Sequence, residues 1–398
     1  MQKWVDLLRR WPYTFAVALS LVVGVAAVWS SNHHGVPLRD PEGFLGPAYI
    51  RLPLIGLLFF AAGVIPQAIY RVGAWPLSRL RQVPAEVRTI VRTEWSWKRL
   101  GFITTGLVAF YVCYVSYRNL KSHLPQARDA NFDTELLRLD HWMFFGNNPG
   151  PVLHDLLGTE VSAHVLAAAY LAYLPLIPLT LGAFLVWSRD LSRGAWYATA
   201  LSLNWVLGVV SYYALPTFGP AFVQPEMYRG LSDNSVFDLQ NALFRSAARF
   251  YDDPSGGSTF GIAGFASLHT SVTLTAALFF VRTAQSQLVR ISGWVFFVLT
   301  VVATIYFGWH YLVDDVAGAV IAWISVSLAG WATMNGKRWR RPISAPTPVL
   351  RTQPGLRAGV REGSRARRPA PSAGPDVVEP PTGFEPATSS LQEKRSTD

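Results

Sequence analysis

Eight apolar stretches dominate this chain, at 12–30, 48–69, 101–117, 163–187, 195–214, 265–281, 291–308 and 312–332. Each has roughly the 17–25 residues that a helix needs to cross a hydrocarbon layer. In lipid every backbone amide must find its partner inside the segment, and a helix supplies that partner everywhere. The expected fold class is therefore all-α, a polytopic membrane helix bundle of about eight transmembrane helices. Composition agrees, with 51% hydrophobic and only 15% charged residues, where soluble domains carry about a quarter charged. The first stretch follows Lys3, Arg9 and Arg10, yet it is long and has no small-residue cleavage site. It reads as a retained anchor rather than a signal peptide. The single cysteine, Cys113, excludes an internal disulfide and a cysteine zinc site, and it reads as a small core residue.

The net charge of +10 does not indicate nucleic acid, because the basic residues are dispersed between apolar segments and in the tail. Placing the amino terminus in the cytoplasm puts Arg71, Arg79, Arg81, Arg88, Arg92, Lys98 and Arg99 inside. The same orientation puts Arg189, Arg193, Arg282, Arg290, Lys337, Arg338, Arg340 and Arg341 inside. That alternation is the positive-inside pattern, and it brings both termini to the cytoplasm. Two long outer segments remain. Residues 118–162 contain a helical piece, Asp133 to Phe145, expected to lie along the membrane surface and to stop at the turn Gly146–Pro151. Residues 215–263 contain a second amphipathic piece, Val236 to Tyr251, and read as a functional loop of the lid kind. Beyond about Asn335 periodicity vanishes and Pro, Arg, Gly and Ser dominate, so a disordered tail is expected. Its Gly383-Phe-Glu-Pro386 is what the antisense strand of a transfer-RNA T-arm encodes, and the last twenty or so residues read as a gene-end accident. The expected units are 1–99, a two-span region with a basic loop; 100–334, a catalytic membrane domain; and the tail 335–398.

Chemistry concentrates in two stretches, Phe265-Ala-Ser-Leu-His269-Thr-Ser and Tyr306-Phe-Gly-Trp-His310-Tyr-Leu-Val-Asp314-Asp-Val-Ala-Gly318. The topology brings both histidines to the outer face. Asp314 lies one helical turn after His310 on the same side. A carboxylate there can hold one ring nitrogen and leave the other as nucleophile or base. His269 is then the candidate proton donor. The small residues Ala266, Ser267 and Gly308, with free N–H groups at the start of the sixth span, suit an approaching phosphate. Asp315 has the wrong phase for His310 and is expected to face solvent or a loop, or to pair with a basic residue. A competing reading makes His310 and Asp314 a structural polar tie between helices. His33 and His34 are adjacent and make a poor metal pair, while His123, His141, His154 and His164 are scattered.

The two stretches resemble the second and third motifs of the type 2 phosphatidic acid phosphatase superfamily, Pro-Ser-Gly-His and Ser-Arg-x5-His-x3-Asp. Here they stand as Ala266-Ser267-Leu268-His269 and Ala303-Thr304-x5-His310-x3-Asp314, with Ala266 for the proline and Thr304 for the arginine. Ser-Leu-His with His-Tyr-x-x-Asp is similar to the inositol phosphorylceramide synthase branch, which also lacks that arginine. Leu215-Pro-Thr-Phe-Gly-Pro220 takes the place of that branch's first motif. The resemblance implies a six-helix phosphatase-like core and metal-independent catalysis without a cofactor. It makes His310 the nucleophile, Asp314 its orienting carboxylate and His269 the acid and base. It implies a lipid phosphate as substrate, at the extracytoplasmic face of a bacterial cell membrane, with head-group transfer ahead of simple lipid or polyprenyl phosphate hydrolysis. A non-catalytic flippase or scaffold stands as the reading of another class. The missing arginine must be replaced by other phosphate-binding groups. Candidates are Ser267; Lys121 and Arg128, which keep the Lys-x6-Arg spacing of the superfamily's first motif although Asp129 stands for its proline; Arg118; and, behind these, Arg245 and Arg249.

Overall fold

The computed structural model describes residues 11–41, 46–73 and 77–335. Lys3, Arg9, Arg10, Lys337, Arg338, Arg340, Arg341 and the tail from 336 onward, with its Gly-Phe-Glu-Pro peptide, lie outside them. The described helices are α1 (Thr14–His34), α2 (Ala48–Val72), α3 (Val83–Glu94), α4 (Trp97–Ala127), α5 (Asp133–Met143) and α6 (Pro149–Leu157). They continue with α7 (Val161–Gly182, prolonged by a wider turn to Trp187), α8 (Leu191–Ala214), α9 (Ser235–Asp252), α10 (Leu268–Arg282), α11 (Gln287–Tyr306) and α12 (Leu312–Ala332). Among the described residues there is no strand, and the architecture is an all-α polytopic membrane bundle. Each apolar stretch holds a helix, and among the described residues 6 helices are long and apolar enough to cross a membrane: α1, α2, α4, α7, α11 and α12.

The other two expected spans depart for different reasons. α8 lies inside the bundle, with Trp196, Asn204, Trp205 and Tyr212 all buried, so its sides meet other helices and carry polar residues. α10 has 15 residues, about 22 Å of helix, short of the roughly 30 Å hydrocarbon layer. The expected stretch 265–281 begins as irregular backbone and becomes helical only at Leu268, where the Ser267 hydroxyl accepts the Thr270 N–H at 3.3 Å as N-cap. Irregular backbone inside a membrane bundle needs protein partners. Here it has them: Gly264 N–H donates to the Thr217 carbonyl (2.8 Å) and Ser267 N–H to the Asp314 carbonyl (3.0 Å). Phe265 and Ala266 N–H donate to the hydroxyls of Thr217 and Ser211, each at 2.9 Å.

α4 runs on to Ala127 instead of ending at 117, so Arg118 and Lys121 sit on a helix rather than in a loop. The basic segment after α2 holds α3, whose Ile90 packs on Val64 and Ala68. Its Glu86 and Glu94 receive Arg71 at 3.2 and 2.5 Å. α6 starts at Pro149, where a residue without an N–H loses nothing.

α8 is the hub. Leu201 and Trp205 share one core with Cys113 and Tyr117 of α4, Phe279 of α10 and Val326 of α12. Trp196 Nε1 donates to the Val326 carbonyl at 2.8 Å. Asn204 donates to Thr275 Oγ1 at 3.0 Å and accepts from Ser271, a buried polar layer that sets α8 against α10. Leu21, Val25, Leu57, Val320 and Trp323 point outward, 52% to 68% exposed, as a lipid-covered belt requires.

Candidate active site

Three segments converge at one end of the bundle. The first is the start of α10 with His269. The second is the connection 307–311 with His310, entered through Gly308, whose φ of 67° favours glycine and whose Cβ would strike the Tyr228 ring. The third is Leu215–Pro220, which follows α8. Ala221 N–H donates to the Gly308 carbonyl at 2.8 Å, and Thr217 holds residues 264 and 265. The stretch likened to a first motif therefore joins the two histidine stretches physically.

His269 Nδ1 lies 3.2 Å from His310 Nε2. On the other side of the ring, His310 Nδ1 is 3.4 Å from Asp314 Oδ2, a contact longer than an ordinary hydrogen bond that strengthens when the ring is charged. That same oxygen accepts the Tyr311 N–H at 3.0 Å, which fixes the carboxylate. The His269 ring is tilted against Tyr170 and Tyr173, with centroids at 4.8 and 4.5 Å, and Tyr170 stacks on Trp309 at 5.2 Å. His310 is buried at 5% exposure, while His269 keeps partial exposure. Burial holds the His310 imidazole down at about 4, against the pull of Asp315 and with help from the nearby charge of Lys121. A neutral ring at neutral pH is what a nitrogen nucleophile needs.

The phosphate-binding candidates separate. Lys121 is half-buried on α4, its Nζ lies 5.2 Å from the centre of the Tyr212 ring, and its charge reaches His310. Arg118 is half-buried one turn earlier. Arg128 is exposed at the end of α4, and its backbone N–H donates to the Leu124 carbonyl. Arg245 and Arg249 are exposed on α9, with Arg249 donating to Ser258 at 3.2 Å. Ser267 is fully buried and spends its hydroxyl as the N-cap of α10.

Asp315 corrects the sequence reading. It is 3% exposed and accepts from Thr270 (2.5 Å) and Thr304 (3.2 Å). Thr304, standing where the superfamily has arginine, thus ties α11 to α12. The expected helix from Asp133 forms as α5, and it buries Asp133 and Asp140 beside Leu136. Asp133 accepts from the N–H groups of Phe218 (2.9 Å) and Gly219 (2.9 Å) and from the Tyr311 hydroxyl (3.0 Å). Asp140 accepts from Leu312 N–H at 3.1 Å. Burial raises the Asp140 carboxyl to about 6, against the Leu312 N–H and with the Asp314 charge. Their seven-residue spacing, which puts both on one helix face, was the available signal. Among the other histidines, His123 meets Ser30 at 2.9 Å and His154 meets the Tyr306 carbonyl at 2.8 Å, and both contacts lock helices.

A cavity of about 680 Å³ lies elsewhere, between His164, Ala167 and Leu171 of α7 and Asn234, Phe237 and Asn241. The cavity beside His310 is about 10 Å³, between Asp140, Asn148 and Tyr228, roughly the room of one water molecule.

Residues 134–328, just under half of the chain, match the family model described as the PAP2 superfamily. The matched segment contains His269, His310 and Asp314 and leaves out Arg118, Lys121 and Arg128. Comparison with curated proteins gives no match, and neither does comparison with solved structures.

Proposed function

We propose that this protein is a membrane phosphatase or phosphotransferase of the PAP2 kind, acting on a lipid phosphate through a phosphohistidine at His310. The observation that carries it is the 3.2 Å approach of His269 Nδ1 to His310 Nε2, with Asp314 at the opposite ring nitrogen. With Asp314 3.4 Å from His310 Nδ1, poised to close on its N–H as the ring becomes charged, Nε2 presents its lone pair, and the proton between the rings belongs to His269.

In the first step the Nε2 lone pair attacks phosphorus and the bond to the leaving oxygen breaks; His269, carried as imidazolium once the anionic phosphate lies beside it, gives that oxygen a proton and is left neutral. Asp314 balances the positive charge on the phosphorylated ring. In the second step His269 takes a proton from the acceptor, whose oxygen attacks phosphorus as the N–P bond breaks. The bound phosphoryl group replaces the direct contact between the rings. Lys121, with Arg118 behind it, is the group proposed to hold the non-bridging oxygens, a role that calls for a cation. Ser267 serves by fixing the loop. The chemistry uses no metal.

The finer reading is transfer of a phosphoryl-alcohol head group, as in inositol phosphorylceramide synthases, at the extracytoplasmic face with both termini in the cytoplasm. Thr304 in place of the arginine supports it. Hydrolysis is the second reading, favoured by the one-water cavity at His310.

The test is purified protein with a panel of phospholipids and polyprenyl phosphates, with and without inositol, and products identified by mass. His269→Ala is expected to lower turnover by about 10²–10⁴-fold and to accumulate phosphorylated enzyme, and His310→Ala to abolish both. Unchanged turnover in both variants, at normal membrane levels, would remove the phosphohistidine reading, and no turnover by the wild-type protein would leave a non-catalytic flippase or scaffold.

A further inference from the structure

The connection 307–311 that carries His310 is not helical, and two carboxylates from a distant part of the chain grip the residues just after it. Asp133 and Asp140 stand on the inner face of α5, at 2% exposure each. Asp133 receives the hydroxyl of Tyr311, and Asp140 the N–H of Leu312. Asp133 also receives Phe218 and Gly219 N–H from the loop that holds the His269 stretch, and Asn131 Nδ2 at 2.8 Å. The Phe132 N–H donates to the Pro216 carbonyl at 2.9 Å and reinforces the same junction. Asp140 and His310 line one small cavity.

Neither carboxylate has a Lys or Arg within ion-pair distance among the described residues. Their hydrogen bonds come from N–H and O–H donors, and Asp140 also has His141 beside it. Burying two carboxylates without a Lys or Arg is a costly way to tie down a loop. It makes physical sense where their direction and negative potential act on a neighbouring group.

We infer that Asp133 and Asp140 are positioning residues for His310, and that the outer segment carrying them is a fixed brace for the nucleophile. The inference rests on His310 being that nucleophile. The brace holds Nε2 at its approach to His269 and adds negative potential behind a ring that becomes cationic when phosphorylated. α5 thereby couples both histidine stretches through a single side chain, Asp133.

The number of donors at each carboxylate makes the two testable separately. Asp140 serves only neighbouring backbone N–H groups at the start of α12, Leu312 first and then Val313, so Asp140→Asn keeps an acceptor oxygen and should recover much of what Asp140→Ala loses. Asp133 serves four donor groups, so the amide of Asp133→Asn would turn an N–H toward another donor and should recover little. The experiment measures kcat and KM on a lipid phosphate, the rate of enzyme phosphorylation, and the melting temperature in detergent. Expected is a kcat loss of about 10- to 100-fold in Asp133→Asn and Asp140→Ala with KM little changed, from lost hydrogen bonds to a charged group. Partial rescue is expected in Asp140→Asn. Tyr311→Phe removes one bond to Asp133, should lower kcat about 10-fold, and decides the matter if Asp133→Asn does not accumulate. Wild-type kcat in Tyr311→Phe and Asp140→Ala, with His310→Ala inactive, would overturn the brace alone. An active His310→Ala would instead remove the nucleophile assignment and the brace with it.

Discussion

Gly318→Ala tests whether the meeting of α10 and α12 sets the distance between the two histidines. Gly318 lies one turn after Asp314, against the backbone that leads into α10. A Cβ added there overlaps the Ser267 carbonyl oxygen and comes to 3.3 Å from Thr270 Cβ. The first of these is main chain and cannot rotate away, so the two backbones must part by about 1 Å to restore van der Waals contact. The Ser267 N–H to Asp314 carbonyl bond, now 3.0 Å, spans the same junction and would break. Overpacking costs about 1–3 kcal/mol and the lost bond about 1 kcal/mol, so stability should fall by about 2–4 kcal/mol. His269, two residues beyond Ser267, moves with it and opens the 3.2 Å approach to His310. A misplacement of about 1 Å costs on the order of 10²-fold in rate. The assay is initial rate on a lipid phosphate beside a melting curve in detergent. Gly330→Ala is the control, on the same helix about three turns on. Its Cβ would meet the Trp196 ring at 3.1 Å, and a side chain can yield by tenths of an ångström. A wild-type rate in Gly318→Ala, or an equal rate loss in Gly330→Ala, would refute the reasoning.

Thr304→Ala removes one of the hydroxyl donors that Asp315 has in the bundle; a melting curve should show a loss of about 1–3 kcal/mol. The proton affinity of His310 sets a pH dependence. Its folded value, about 4, lies below the ordinary 6.5, so between those limits the unfolded chain binds the proton first and stability rises with pH. His310→Ala should flatten that rise in melting curves taken from pH 4 to 7, and an unchanged slope would count against it. Asp140 acts in the opposite sense: raised from 3.8 to about 6, it favours the folded state at low pH and loses that contribution as pH rises through this window. Asp140→Asn should therefore steepen the rise with pH. Lys121→Met should lower kcat/KM on lipid phosphates by at least about 10-fold and exposed Arg128→Ala should not; the reverse order would move the phosphate site to the end of α4.

Much of this arrangement is legible along the chain. The apolar stretches dictate helices because lipid offers the backbone no other partner. The phase of Asp314 relative to His310 is a property of one helix turn and needs no tertiary information, and the structure keeps it at 3.4 Å. What the chain does not show is which helix crosses which. α10 starts three residues after its apolar stretch does because Thr217, Ser211 and Asp314 satisfy the backbone before Leu268. Asp315 looks solvent-bound by phase alone and is buried because Thr270 and Thr304, 45 and 11 residues away, arrive beside it. Asp133 and Asp140 share a helix face in the sequence, but nothing along the chain says that Tyr311 and Leu312 are brought under them. Lys121 and Arg128 share a sequence spacing, yet only the unbroken course of α4 sets one beside Tyr212 and leaves the other exposed. Local periodicity determined the rods and their ends, whereas the partners of each buried polar group depend on contacts between segments far apart in the chain, which only packing decides.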